Sequence, residues 1–125
     1  MHKRDYIRSR NQGPEMLRYT VDEGGYEDYI EVVADENAGG GCLQGRFNAP
    51  YKVICEAFGP PTYNNPSSTD KTTCEWRLRI GAYHATIYDY KGERWHVGGT
   101  DKYSYESVME VLALYRKGNR PEIVD

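Results

Sequence analysis

Two histidines and one aspartate in the second half of the chain are the residues best suited to acid–base chemistry: His84, Asp89 and His96. His84 and Asp89 are five positions apart in a segment of alternating polar and apolar residues, so on a strand they point to opposite faces. They therefore cannot share a proton or a metal ion. Asp89 can meet His96 at a sheet end, but one pair without a nucleophile is not a mechanism. We interpret these two as a structural polar pair and predict a protein that is not an enzyme, with no catalytic residue, metal or cofactor.

The three cysteines, Cys42, Cys55 and Cys74, show no C-x-x-C spacing. This argues against a disulfide framework and a zinc site, and we expect the thiols to be small core residues in a reducing compartment. The leader MHKRDYIRSR lacks the apolar stretch of a signal peptide, and no run reaches the roughly 18 apolar residues of a membrane span. We therefore expect a soluble cytoplasmic protein with no membrane contact.

The stretch TTCEWRLRIGAYHATIYDY, residues 72–90, carries the clearest structural pattern. Apolar residues occupy every second position from 74 to 80, which is typical of a half-buried strand, and Gly81-Ala82 fits a two-residue hairpin turn. This turn sets the register of the hairpin. The predicted inner pairs are Ile80–Tyr83, Leu78–Ala85, Trp76–Ile87 and Cys74–Asp89, and the outer pairs are Arg79–His84, Arg77–Thr86 and Glu75–Tyr88.

The rest of the chain predicts a single α+β domain. Further strands are predicted at 29–33, 42–47 and 94–97, and helices from Asn48 to Gly59 and from Asp101 or Ser104 to Gly118. This order favours a mostly antiparallel sheet of about four to five strands with both helices packed on one face.

The remaining segments are predicted to lack regular structure. Residues 1–18 are interpreted as a flexible basic arm, with a short helix near Glu15–Tyr19 as an alternative. Residues 62–71 are expected to be an exposed loop, and residues 119–125 a loose tail. The folded domain is therefore expected to span residues 19–118.

Four short blocks resemble a group of small proteins encoded by bacteriophages and other viruses. The blocks are Phe58-Gly59-Pro60-Pro61-Thr62, Glu75-Trp76, Thr86-Ile87-Tyr88-Asp89-Tyr90-Lys91 and Trp95-His96-Val97-Gly98-Gly99. They follow a shared pattern of an FG-x-PT helix end, an EW strand, a TIYDYK strand and a WH-x-GG turn, over roughly residues 43–112. The resemblance implies a viral origin and a fold, and no catalytic roles. By analogy, it implies a protein that binds a host or defence protein.

The composition favours a contact surface rich in tyrosine and acid. The chain has 12 tyrosines against 2 phenylalanines, and tyrosine suits half-buried faces and interfaces. Residues 19–40 hold seven acids and no lysine or arginine, a block that attracts a basic partner or is a solvated face. We predict a non-enzymatic protein that engages or inhibits a host protein, with a homodimer as an alternative. The predicted contact residues are Tyr26, Glu27, Asp28, Tyr29, Tyr63 and Asp70.

A nucleotide or nucleic-acid binding module is the alternative function. Its predicted surface is the outer hairpin face, with Arg77, Arg79, His84 and Tyr88, since single strands are held by stacking beside guanidinium groups. The glycine turns 39–41 and 98–99 offer a backbone approach for a phosphate instead. Glu75 on the same face and a pI of about 5.6 argue against direct nucleic-acid binding.

Overall fold

A computed structural model describes residues 7–8, 16–64, 74–90 and 95–124. Within these residues the chain forms nine strands, two α-helices and a short 3-10 turn at Glu36–Ala38. In chain order the elements are β1 (Ile7–Arg8), β2 (Met16–Glu23), β3 (Tyr26–Ala34), β4 (Cys42–Phe47), α1 (Tyr51–Phe58), β5 (Tyr63–Asn64), β6 (Cys74–Ile80), β7 (Tyr83–Tyr88), β8 (Trp95–Gly99), α2 (Lys102–Arg116) and β9 (Glu122–Val124).

The strand pairs of the described residues are all antiparallel, in the order β4-β8-β7-β6-β3-β2-β9. β6 lies in the middle of this order, and two strands pair with the same edge of β6. The first two residues of β6 pair with β5 and its last three pair with β3, while β1 pairs with β5. The α+β class and the antiparallel sheet are confirmed, but the expected four to five strands were too few.

The register predicted for the central hairpin is confirmed at every pair from Ile80–Tyr83 to Glu75–Tyr88. The turn closes through Gly81, whose φ of 57° suits glycine. At the other end of the hairpin, the Cys74 N–H donates to the Asp89 carboxylate over 2.9 Å. The inner side chains of β6 and β7 are buried, except Cys74, which is half-buried, and Tyr83, which is exposed. The outer side chains are polar, as the alternation predicted.

Both helices cover the inner face of the sheet. Their fully buried side chains meet those of the hairpin in one core; α1 supplies Ile54, Ala57 and Phe58, and α2 supplies Val108, Val111 and Leu112. The carboxylate of Asp101, one of the two expected caps, accepts the Tyr103 N–H over 2.9 Å at the start of α2. The expected Asn48 cap of α1 is wrong, because α1 follows Pro50 without a side-chain cap.

Some segments expected to be irregular form strands instead. A helix near Glu15–Tyr19 is wrong, because Met16–Glu23 form β2 with Leu17 and Tyr19 buried on one face. Tyr63–Asn64, expected in a loop, and Glu122–Val124, expected in a tail, form β5 and β9 because each pairs with a longer strand. Gly98 and Gly99, expected to close the meander, end β8 itself.

The other boundaries of the predicted arm, domain and tail stay predictions. Most of the predicted arm and residues 65–71 of the predicted loop lie outside the described residues.

Neither helix in the described part of the chain combines the length and the apolar character needed to cross a membrane.

Candidate functional site

The outer face of the sheet is the face opposite the helices. On it, the glycine turn 39–41 lies next to the predicted ligand surface of the β6–β7 hairpin. The glycine loop after β3 lies across β6, so that a Cβ on Gly39 would stand 2.9 Å from the Arg77 guanidinium carbon. A Cβ on Gly41 would overlap the Gly99 carbonyl. Loop and strands border an open cavity of about 230 Å³. Its lining residues are Gly40, Gly41, Cys42, Glu75, Arg77, Thr86, Tyr88 and Gly98.

Arg77, the central cation of this face, is already held by its own chain. Its Nε pairs with the Glu75 carboxylate, its Nη1 donates to the Glu36 carbonyl over 3.2 Å, and its guanidinium lies 4.9 Å from the centre of the Tyr63 ring. Burial, together with the charge of Glu75, raises the pKa of Tyr88. Arg77 therefore fastens the loop and β5 to β6.

The other two basic residues predicted for the ligand face, His84 and Arg79, also have partners. His84 Nε2 lies 3.1 Å from Asp35 Oδ2, and Arg79 Nη1 donates to the Gly81 carbonyl over 3.2 Å. Acids and carbonyls of the same chain therefore already face these cationic groups.

His96 lies at the far end of this face and is 6% exposed. Its Nε2 accepts a hydrogen bond from Arg46 Nε over 3.3 Å, and the rings of Tyr88 and Tyr90 flank it. The predicted Asp89–His96 pair is wrong. The β7–β8 register places His96 opposite Tyr88, so Asp89 points to the other face and binds the Cys74 N–H.

A larger groove of about 650 Å³ lies between β3 and α2. We call it the tyrosine groove; its lining residues are Tyr29, Ile30, Ile80, Gly81, Ala82, Tyr83, Tyr103, Tyr105, Glu106, Ser107, Met109 and Glu110. The rings of Tyr83 and Tyr103 stack with their centres 5.6 Å apart, and each residue is 45% exposed. The groove therefore offers apolar rings and polar hydroxyls together, the combination that suits protein contacts.

The end of the β2–β3 hairpin borders this groove and carries four of the predicted contact residues, Tyr26–Tyr29. Tyr26 is 81% exposed and Tyr29 is 49% exposed. The Tyr29 hydroxyl donates to Glu27 Oε1 over 2.7 Å, which raises the pKa of Tyr29, and the Arg18 guanidinium lies over its ring. Tyr29 is shared by the hairpin end and the groove.

The other two predicted contact residues do not join this surface in the described structure. Tyr63 is 8% exposed in β5, beneath Arg77 on the opposite side of the sheet from α2. Its burial follows from the pairing of β5 with β6. Asp70 lies outside the described residues.

Apart from Tyr29, the lining of the groove was not predicted as a contact surface from the sequence; the residues missed include Tyr83, Tyr103 and Met109. Tyr83 was placed on the inner face, but the sheet ends there and leaves it half uncovered. On α2, Tyr103, Glu106 and Glu110 recur at helical spacing, a signal for a second, exposed face.

The cysteines depart in part from the expected core role. Cys42 is exposed at the edge strand β4, whereas Cys55 and Cys74 are half-buried against the core. Burial raises the pKa of the Cys55 thiol. Across the described ranges, no three His, Cys, Asp or Glu side chains are grouped as a metal ion would need.

No family model, curated protein or solved structure matches this chain.

Proposed function

We propose that the protein is a non-enzymatic binding module that engages another protein through the tyrosine groove and the adjoining hairpin end. The observation that supports this is the clustering of Tyr29, Tyr83 and Tyr103, each nearly half exposed, around one groove. Tyr26 is 81% exposed at the adjoining hairpin end. Scattered exposed aromatic residues are ordinary, but a contiguous patch marks an interaction surface, and tyrosine is enriched among the residues that dominate interfaces.

The resemblance to small bacteriophage proteins supports a host protein as the partner. On this proposal the chain acts in the host cytoplasm as an inhibitor, and defence proteins are among its targets. The proposal assigns no catalytic role, since His84 faces Asp35 and the Nε2 of His96 is occupied by Arg46.

Affinity capture from a bacterial lysate tests this proposal. The tagged full chain is compared with two variants, one with residues 26–29 replaced by alanine and one carrying Tyr83→Ser and Tyr103→Ser. Ile123→Ser is the matched control, because Ile123 is 65% exposed on β9, away from the groove. We expect one stoichiometric protein that the wild type and the control capture and both groove variants lose, with all four chains folded by circular dichroism.

Capture of the same proteins by all four chains contradicts the proposal. So does a co-purifying nucleotide or nucleic acid whose retention depends on Arg77 and Arg79. That outcome supports the second candidate, a nucleotide or nucleic-acid module, which the glycine loop over Arg77 and Tyr88 favours. The cavity there is smaller than the roughly 300 Å³ at which small-molecule pockets begin, which places this candidate second.

A further inference from the structure

The edge of β3 that faces β6 is only partly used. β3 has nine residues, but β6 pairs only with the last three, Val32–Ala34, because the chain turns back at Gly81 into β7. The Gly81 N–H donates to the Glu31 carbonyl over 2.9 Å, where this pairing ends. Within the described ranges, no strand pairs with Tyr26–Ile30 on that side.

Two residues direct their backbone groups to this open edge. Backbone groups of an antiparallel strand alternate between its two sides. Because Glu31 bonds towards Gly81, the N–H and C=O of Glu27 and Tyr29 point the same way, and those of Asp28 point to β2. The Tyr29 N–H donates to Asp28 Oδ1 over 2.8 Å. The Asp28 carboxylate thus stands where a carbonyl of a neighbouring strand would stand.

The tyrosine groove runs alongside the open edge. Ile30 belongs to both, and the groove is also lined by Ile80 and Tyr83 of the β6–β7 hairpin and by Tyr103 and Met109 of α2. A strand added to β3 would direct every second side chain into this groove. We propose that an extended, basic segment of a partner protein adds to the open edge as a further strand of the sheet. This inference rests on the proposed protein-binding function and names its mode of contact.

The acidic residues around the groove indicate that the partner segment is basic. Glu27 and Asp28 lie on the open edge, and Glu106 and Glu110 lie on the α2 side. The ammonium of Lys102 lies over the Tyr103 ring, 5.3 Å from its centre, at the start of α2. The acidic excess favours lysine and arginine alternating with apolar residues.

A second copy of the chain fits this edge poorly. Two open edges related by a twofold axis would bring Glu27 and Asp28 of one copy close to the same residues of the other. Like charges placed opposite each other destabilise a strand pair. Acidic edge residues therefore disfavour self-pairing and leave the edge to a basic strand.

A matched pair of variants separates backbone pairing from side-chain contact. Tyr29→Pro and Tyr29→Ala both remove the ring, but only proline also removes the N–H that faces the open edge. The pairing of β2 with β3 is retained, since its hydrogen bonds here come from Asp28 and Ile30 rather than from residue 29. Circular dichroism and thermal unfolding verify the fold of both variants.

The probe is a peptide selected on the wild-type full chain from a displayed library of short random peptides. We expect selected peptides to alternate apolar residues with lysine or arginine. We expect them to bind Tyr29→Pro roughly fivefold or more weakly than Tyr29→Ala, the effect of losing about one backbone hydrogen bond. On the wild type, N-methylation of successive peptide amides should weaken binding at every second position, a measurement that needs no folded variant.

Several outcomes overturn strand addition: no selected peptide, selected peptides that are acidic, or equal binding to both variants with no alternating effect of N-methylation. If the free chain forms a dimer and Tyr29→Pro abolishes that dimer, the open edge binds a second copy of the chain, and the proposal of a basic partner segment is wrong. In each of these cases the protein-binding function still stands if a captured protein is lost from the Tyr83→Ser, Tyr103→Ser variant. If the wild type and the Tyr83→Ser, Tyr103→Ser variant capture the same proteins, the protein-binding function itself is contradicted.

Discussion

At the scale of single residues, Tyr19 joins the first long strand to a helix. It is fully buried in β2, and its hydroxyl donates to the Ala57 carbonyl in the last turn of α1 over 2.5 Å. Nearby, Trp76 Nε1 donates to the Gly59 carbonyl over 2.8 Å. Two buried side chains of the sheet therefore hold the end of α1 in place.

We predict that Tyr19→Phe lowers the free energy of unfolding by about 1–3 kcal/mol at neutral pH. The ring still packs, but the Ala57 carbonyl loses its buried donor. Chemical denaturation measures this effect. Tyr26→Phe, at an exposed position with no such bond, is the control and should leave the stability unchanged.

The same hydroxyl also predicts alkaline behaviour. Burial raises the pKa of Tyr19 above its ordinary value of 10.0. Since the folded state holds this proton more tightly, its stabilisation is complete below pH 10.0 and is lost as the pH rises towards the folded value. The fall in stability above pH 10 should be shallower in Tyr19→Phe than in the wild type. An identical slope in both proteins would contradict this assignment.

At the scale of elements, the hairpin of β6 and β7 was predictable because the turn, the apolar face and the polar face all require one register. β2 was missed, although Leu17, Tyr19 and Val21 alternate, because the basic leader and Gly13-Pro14 dominated the interpretation of that region. The strands β5 and β9 have two and three residues. Such short strands form only because they pair with a longer strand. They contain too few residues for an alternating pattern that would predict them from the sequence.

The fit of β4 against α2 gives a prediction at this scale. A Cβ on Gly45 would overlap the ring of Tyr105, whose hydroxyl donates to the Arg46 carbonyl. Gly45→Ala should destabilise the protein by about 1–3 kcal/mol through overpacking. In the double variant with Tyr105→Ala, the loss should be smaller than the sum of the two single losses, as thermal or chemical unfolding can show. Strict additivity would mean that the two residues do not touch.

At the scale of the whole molecule, the candidate site was only half predictable. Tyr26–Tyr29 form one local acidic and aromatic stretch and are all exposed; that they contact a partner stays a prediction. The groove beside them combines β3, the β6–β7 turn and α2, which are far apart in the sequence. The groove forms because β6 ends partway along β3. This offset between the two strands arises only in the assembled sheet, so no local sequence pattern predicts it.

The charge distribution over the molecule predicts how partner binding responds to salt. The acidic residues beside the groove include Glu106 and Glu110. Attraction of a basic partner should therefore weaken as ionic strength rises, mainly through a slower association rate. The double variant Glu106→Gln, Glu110→Gln should show a smaller salt dependence of that rate, measured by surface-based kinetics on the captured partner. Lys117→Gln, past the other end of α2, is the control and should keep the wild-type dependence.

The exposure of Cys42 has a practical consequence for such experiments. Of the three thiols in the chain, Cys42 is the exposed one, while Cys55 and Cys74 are half-buried against the core. Cys42 lies on the edge strand β4, with β8, β7 and β6 between it and β3. A maleimide at neutral pH should therefore attach one dye or one biotin at this position. Such a tether would fix the molecule to a sensor in a single orientation, with the groove directed towards the solution.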